Sequence, residues 1–322
     1  MNRTVAWLLI ASLACMLAAC GGGGGGGSSS TTTTTTTGST ATVTPVVPSG
    51  TIAPSTSSLS ATGFKYPQGL AVSADGKTLY VADANSNSVI EIALDQANYP
   101  EHTLALVTSP GGPAYTLSSP TGIAVDGTSS TLYIANFSAG TISAVDLSNG
   151  VTTTLALPAL NNPTGLSLSS DGLSLYVASH GGGAVLQVPV SGGAMTANYA
   201  PGTSVLLPWD VYLSPAGSKL YVTDTLNNAL GNLSISAGTL QTGSYATAAS
   251  GFNEPMGVVQ IGSYLFVANY QGQSISKVDA TTGALVKTIS VAPNQPFFLA
   301  TDGTNLYFTD GNDGSVNEIK AP

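Results

Sequence analysis

Charge is scarce in this chain. Of 322 residues, 7 are Lys or Arg and 16 are Asp or Glu, so 7% is charged, where soluble domains carry about a quarter. Arg3 is the only arginine. Arginine is the side chain best suited to bidentate capture of phosphate, so nucleic acid and phosphorylated ligands are poor partners for the body of the chain. His102 and His180 are the only histidines, too few for a multi-histidine zinc site. The two cysteines, Cys15 and Cys20, precede everything else of interest, and the rest has no thiol for a disulfide, a nucleophile or a zinc site. The apolar run over residues 5–17 is shorter than the roughly 20 residues a spanning helix needs. What abounds is glycine (38), proline (18) and apolar residues (43%). That is the balance of one β-rich globular body with many turns, not of a coiled coil or an acidic tail.

The first residues read as an address. Met1-Asn2-Arg3 is a basic start, the apolar run follows, and small residues lead to Cys20, as in a secretory signal. Leu17-Ala18-Ala19-Cys20 also resembles the lipobox of bacterial lipoproteins. The resemblance implies cleavage after residue 19 and lipid on the Cys20 thiol, with Gly21 resembling the outer-membrane class; an ordinary signal with an incidental cysteine is the alternative. Residues 20–50, with Gly21 to Gly27, Ser28 to Ser30 and Thr31 to Thr37, form a tether that cannot bury a core. No Lys follows the glycines, so they are not a phosphate loop. The expected location is across the inner membrane, held by lipid alone on the periplasmic or cell-surface side, as a monomer. Removal of Arg3 leaves six lysines against 16 acidic residues, a net charge of −10.

Residues 51–322 are repetitive. Pro67-Gln68-Gly69-Leu70-Ala71-Val72 leads through Asp75-Gly76 to Leu79-Tyr80-Val81-Ala82-Asp83, and five further copies start at Pro120, Pro163, Pro208, Pro255 and Pro296. Each copy adds a third β-type run and most add a fourth. The copies start 53, 43, 45, 47 and 41 residues apart. Four short runs rich in Val, Ile, Tyr and Thr per period near 45 predict a propeller of antiparallel meanders. The sixth copy ends after its third run, so residues 51–63 are expected to supply its fourth strand. Ala61-Thr62-Gly63-Phe64 echoes Ala249-Ser250-Gly251-Phe252, which precedes another copy. The expected fold is all-β: six four-stranded antiparallel blades, closed by the N-terminal strand on the last blade. Pro-x-Gly-Ile/Leu-Ala-Val followed by Leu-Tyr-Val-Ala-Asp/Asn is similar to NHL-repeat and YVTN-type β-propellers. That resemblance covers residues 67–320 and implies a fold rather than a function.

In a meander the start of the first strand and the end of the second share one end of the sheet. One ring face then collects Asp83, Asn136, Ser179, Asp224, Asn269 and Asp310 with the residues after them, and Trp209-Asp210 and Phe297-Phe298, where x-Gly is broken. Asp and Asn at such strand ends commonly hold turns. The departures at Trp209 and Asp210, with His180 and the residues after the strand ends at Phe137 and Tyr270, give the candidate contact face of a non-catalytic binding or interaction module. Its partner would be a protein, or a neutral small molecule or glycan, with no cofactor and no membrane contact beyond the lipid. His102 falls in an outer strand. Similar six-bladed families include calcium- or zinc-dependent lactonases and lyases. That resemblance implies, as the alternative, a divalent-metal enzyme with Ca²⁺ held at the tunnel mouth by Asp210, Asp224 and Glu254. Asp310-Gly311-Asn312-Asp313-Gly314 lacks the Gly at position six and the Glu at twelve of a calcium loop, and there is no Gly-x-Ser-x-Gly elbow. Most of the 13 tyrosines fall at the Leu-Tyr-Val slot and are expected to pack.

Overall fold

The computed structural model describes residues 56–60, 64–199, 207–320 and 322. Cys20, the signal and the tether lie outside the described residues. Six antiparallel sheets follow one another along the chain, and no described residue is helical.

The first strand of each blade is a repeat start: Pro67–Val72, Pro120–Val125, Pro163–Leu168, Pro208–Leu213, Pro255–Ile261 and Pro296–Thr301. Each packs against the first strand of the next blade, and the sixth against the first, so these strands line the axis. The second strands are Thr78–Asp83, Thr131–Asn136, Ser174–Ser179, Lys219–Asp224, Tyr264–Asn269 and Leu306–Asp310. In all six blades the leading proline faces the last residue of the second strand, and the register shifts before the fourth residue of the first strand. The two residues after each proline therefore sit in a local irregularity, the usual device for re-aiming side chains. Outer strands such as Glu101–Thr103 are short and exposed, His102 included. In the fourth blade the third strand, Ala229–Ser236, is long enough to pair with both Thr239–Leu240 and Ala246–Ser250.

Thr56–Ser60 pairs antiparallel with Val316–Ile319 and completes the sixth blade. The expected closure is thus observed, and the edge of the last sheet is covered. The apolar core lies between blades. Leu79, Val81 and Ile92 of the first blade pack with Ala300, Tyr307 and Val316 of the sixth. Tyr176 and Val185 of the third meet Val211, Leu220 and Val222 of the fourth. The repeated aromatic at the second-strand slot is buried in every blade, as Tyr80, Tyr133, Tyr176, Tyr221, Phe266 and Tyr307. A four-stranded sheet has two apolar faces, and only neighbours on both sides remove both from water.

Candidate functional site at the axis

The six strand-end residues hold the loops that lead into the first strands. The Asp83 carboxylate accepts from the N–H groups of Lys65 (2.8 Å) and Tyr66 (2.9 Å). Asn136 Oδ1 accepts from Ser118 N (3.0 Å), and Asp310 Oδ1 from Gln295 N (2.9 Å) and Asn312 N (2.7 Å). Ser179 Oγ donates to Asn161 O (3.0 Å). Asn269 Oδ1 accepts from Asn253 N (3.3 Å), and Asp224 from Leu207 N (3.4 Å) and Asn227 Nδ2 (2.5 Å). These groups serve the turns, as their residue types suggest.

The residue after each proline is buried: Gln68, Thr121, Thr164, Trp209, Met256 and Phe297. Trp209, Met256, Phe297 and Phe298 form one apolar cluster with Tyr270. Trp209 stands edge-on to His180 (4.8 Å between ring centres) and to Phe297 (5.3 Å), and Tyr270 edge-on to Phe297 (5.4 Å), a geometry that favours aromatic pairs. The structure therefore brings His180, Trp209 and Tyr270 together, but Trp209 is 9% and Tyr270 5% exposed. They fill the proline end of the axis instead of walling an open mouth. His180 bonds the Pro208 carbonyl through Nδ1 at 3.3 Å, and burial lowers its pKa against the pull of that bond. Phe137 is half-buried on the second blade and is not part of this cluster.

The third residue decides how the inner strands meet. A Cβ on Gly69, Gly122, Gly165 or Gly257 would collide with the backbone of the next blade. Asp210 and Phe298 carry side chains at this position, and threonines bridge their inner strands to the next blade. Thr223 Oγ1 accepts from Asp210 N (2.9 Å) and donates to Met256 O (2.6 Å) of the fifth blade. Thr309 Oγ1 accepts from Phe298 N (3.1 Å) and donates to Gln68 O (2.9 Å) of the first blade. The other four second strands have Ala at this place. The exchange is coupled in the sequence: each Thr stands in the same copy that lacks the third-position glycine. Thr309→Val is expected to cost about 2 kcal/mol, since it leaves a buried N–H and a buried carbonyl unpaired; chemical denaturation measures it.

The Asp210 side chain does not face the tunnel mouth proposed from sequence. It turns along the ring. Oδ1 accepts from Val211 N (2.9 Å) and Oδ2 from Val258 N (3.1 Å) of the fifth blade. Burial pushes its pKa up to about 7, against the lowering effect of both N–H bonds. It borders a cavity of about 290 Å³ running from Gly122, Asp210 and Phe298 to Val72, Val125, Leu168 and Thr301, the far ends of the inner strands. Leu70, Ile123, Leu166 and Val258 help to line it beside Ser167, Tyr212 and Thr301, and among the described residues Asp210 is its only carboxyl. Pattern reading had no signal for this cavity, because its walls are ordinary strand hydrophobics.

Glu254 lies half-buried in the loop before the fifth blade, with φ of 56° and its N–H on Asn228 Oδ1 (2.8 Å). Burial raises its pKa. Among the described residues, no three His, Cys, Asp or Glu side chains converge as a metal site, so Asp210, Asp224 and Glu254 do not form the cluster that the alternative required.

With this geometry in view, comparison with known proteins is informative about architecture. A family model described as SMP-30/Gluconolactonase/LRE-like region matches residues 32–181. A gluconolactonase of Xanthomonas campestris is similar in structure, with a TM-score of 0.66 and 18% identity over 83% of this chain and 89% of that one. The likeness is one of fold. A calcium-binding regucalcin of Agrobacterium tumefaciens gives 0.65 and 18%, over 81% and 92%. Virginiamycin B lyase of Staphylococcus aureus gives 0.58 and 16%, over 82% and 87%. No curated protein matches the sequence.

Proposed function

We propose that this propeller acts on a small molecule at its axis, in a lactonase- or lyase-like reaction in which Asp210 transfers the proton. One observation supports this most directly: among the described residues the only carboxyl bordering the axial cavity has a pKa raised to about 7 by burial. A carboxyl poised near neutrality is effective as either acid or base. Protonated, Asp210 hands its proton to an oxygen that leaves as its bond to carbon breaks. Ionised, it takes a proton from water or from carbon as the new bond forms. The partial match to a gluconolactonase-containing family and the lactonase and lyase neighbours lend support.

The regucalcin and gluconolactonase neighbours also raise a divalent ion. Calcium takes six to eight oxygens. The residues here do not fit it. Among the described residues no three carboxyl or histidine side chains converge, and Asp210, Asp224 and Glu254 stay apart, far short of that number of oxygens. No step of the proposed reaction is routed through a metal.

The test is turnover of a lactone panel by wild type and Asp210→Asn, with and without chelator. Activity insensitive to chelator, inflecting near pH 7 and about a hundredfold lower in the variant is expected of a general acid–base group. Absence of turnover on every lactone would leave the non-catalytic binding module, a reading favoured by the two N–H bonds that already restrain Asp210. Export and lipid attachment at Cys20 belong to the same proposal, and mass spectrometry of the membrane-extracted protein tests them.

The carboxyl also sets a pH response of stability. Its folded pKa lies above the ordinary 3.8, so the folded state holds a proton that the unfolded state releases. Stability from this group is present below pH 4 and lost as pH rises toward 7. Thermal unfolding followed from pH 5 to 7 is expected to show a downward trend that is flatter in Asp210→Asn.

A further inference from the structure

We propose that the axial cavity binds a small organic ammonium, its apolar body against Val125, Leu168 and Val211 and its N–H donors on the Asp210 carboxylate. The inference rests on the axis being the working site, and not on any reaction there. Asp210 is buried beside open volume, and none of the six lysines borders that volume. Its partners are two backbone N–H groups, which satisfy two of roughly four lone-pair positions and bring no charge. A buried carboxylate without a cation is costly, and that cost is what burial expresses in its raised pKa. A ligand carrying the missing charge restores the ionised form and gains charge-assisted hydrogen bonds. The walls offer such a ligand apolar contact from Val125, Leu168 and Val211, beside the polar groups of Ser167, Tyr212 and Thr301.

The strands packed against Asp210 carry Lys219, Tyr221 and Asp224 on the second strand of its own blade and Tyr176 on that of the third; Tyr212 lies on its own strand. Of these only Tyr212 borders the cavity. Burial raises its pKa, so it stays protonated through the range tested.

Calorimetric titration with benzylammonium and n-hexylammonium, against benzyl alcohol and hexanol, tests the proposal on the full chain. Below the Asp210 pKa the cation must displace a proton, so its affinity is expected to rise about tenfold from pH 5 to 6 and to level off above 7. A neutral hydrogen-bond acceptor would show the opposite trend. At pH 8 the alcohols are expected to bind at least about tenfold more weakly, the scale of one desolvated ion pair. Asp210→Asn removes the pH dependence and the preference. Leu168→Trp leaves Asp210 in place, fills the cavity and weakens every ligand. Equal affinity for alcohol and ammonium, affinity that is flat or falling from pH 5 to 7, indifference to Leu168→Trp, or no ammonium binding would each overturn the proposal. Lactone turnover by a protein that ignores ammonium would remove this inference and keep the acid–base reading. Ammonium binding without turnover would do the reverse.

Discussion

Removing residues 1–60 is expected to lower the unfolding midpoint by roughly 10 °C and to make the protein aggregate. The deletion takes away the strand that pairs with Val316–Ile319, in which Thr56 faces Ile319, Ser57 faces Glu318 and Ser58 faces Asn317. A ladder of about four hydrogen bonds at a net 1 kcal/mol each amounts to about 4 kcal/mol, and 1 kcal/mol shifts the midpoint of a domain this size by about 2–4 °C. The second consequence follows from geometry. Val316–Ile319 is buried along its length, and without its partner it becomes an open edge that recruits other chains. Differential scanning calorimetry and light scattering give the two readings, with removal of residues 1–50 as the comparison that keeps the closing strand. Equal midpoints for the two deletions would mean that the ring does not depend on closure.

Gly122→Ala is expected to destabilise by about 3 kcal/mol or more, the upper range for overpacking. The added Cβ would fall on the Thr164 carbonyl oxygen and lie 2.8 Å from Gly165 Cα. Both are backbone atoms of the next blade, so neither turns aside as a side chain would. Relief requires the second and third blades to separate, and the ring resists because every blade is held on both sides. Gly127→Ala is the matched control. A Cβ there meets nothing within 4 Å, and such surface changes usually stay within about 0.5 kcal/mol. Denaturant titration of the two variants measures the difference. A Gly122→Ala protein as stable as Gly127→Ala would show that the inner strands have slack.

Much of the architecture was legible because it is written locally and repeated. Six copies of Pro-x-Gly with Leu-Tyr-Val or its variants set strand, turn and strand, and the missing fourth run of the last copy pointed to the head of the chain. The site was less legible. Trp209 breaks the x-Gly pattern and Tyr270 follows a strand end, and sequence reads each equally well as exposure or as packing; the structure shows packing, with Phe297 as the ring between them. Asp210 stands out in the sequence because it replaces the repeat glycine, but its direction is not written there. In sequence it follows a tryptophan at the proline end, whereas its Oδ2 accepts from the N–H of Val258, 48 positions away. Thr223 and Thr309 look like ordinary strand residues in isolation, and only their pairing with the missing glycine of the same copy marks them.

The sequence by itself determined the number of blades, their strand order and the way the ring closes, since these follow from short-range periodicity and a count of runs. Only the tertiary structure decided which end of the axis is filled and which is hollow. Six third-position residues drawn from across the chain meet around the axis only after closure. Whether each points at solvent, at an aromatic ring or at a neighbouring backbone N–H depends on the spacing between blades, and no single blade contains that spacing.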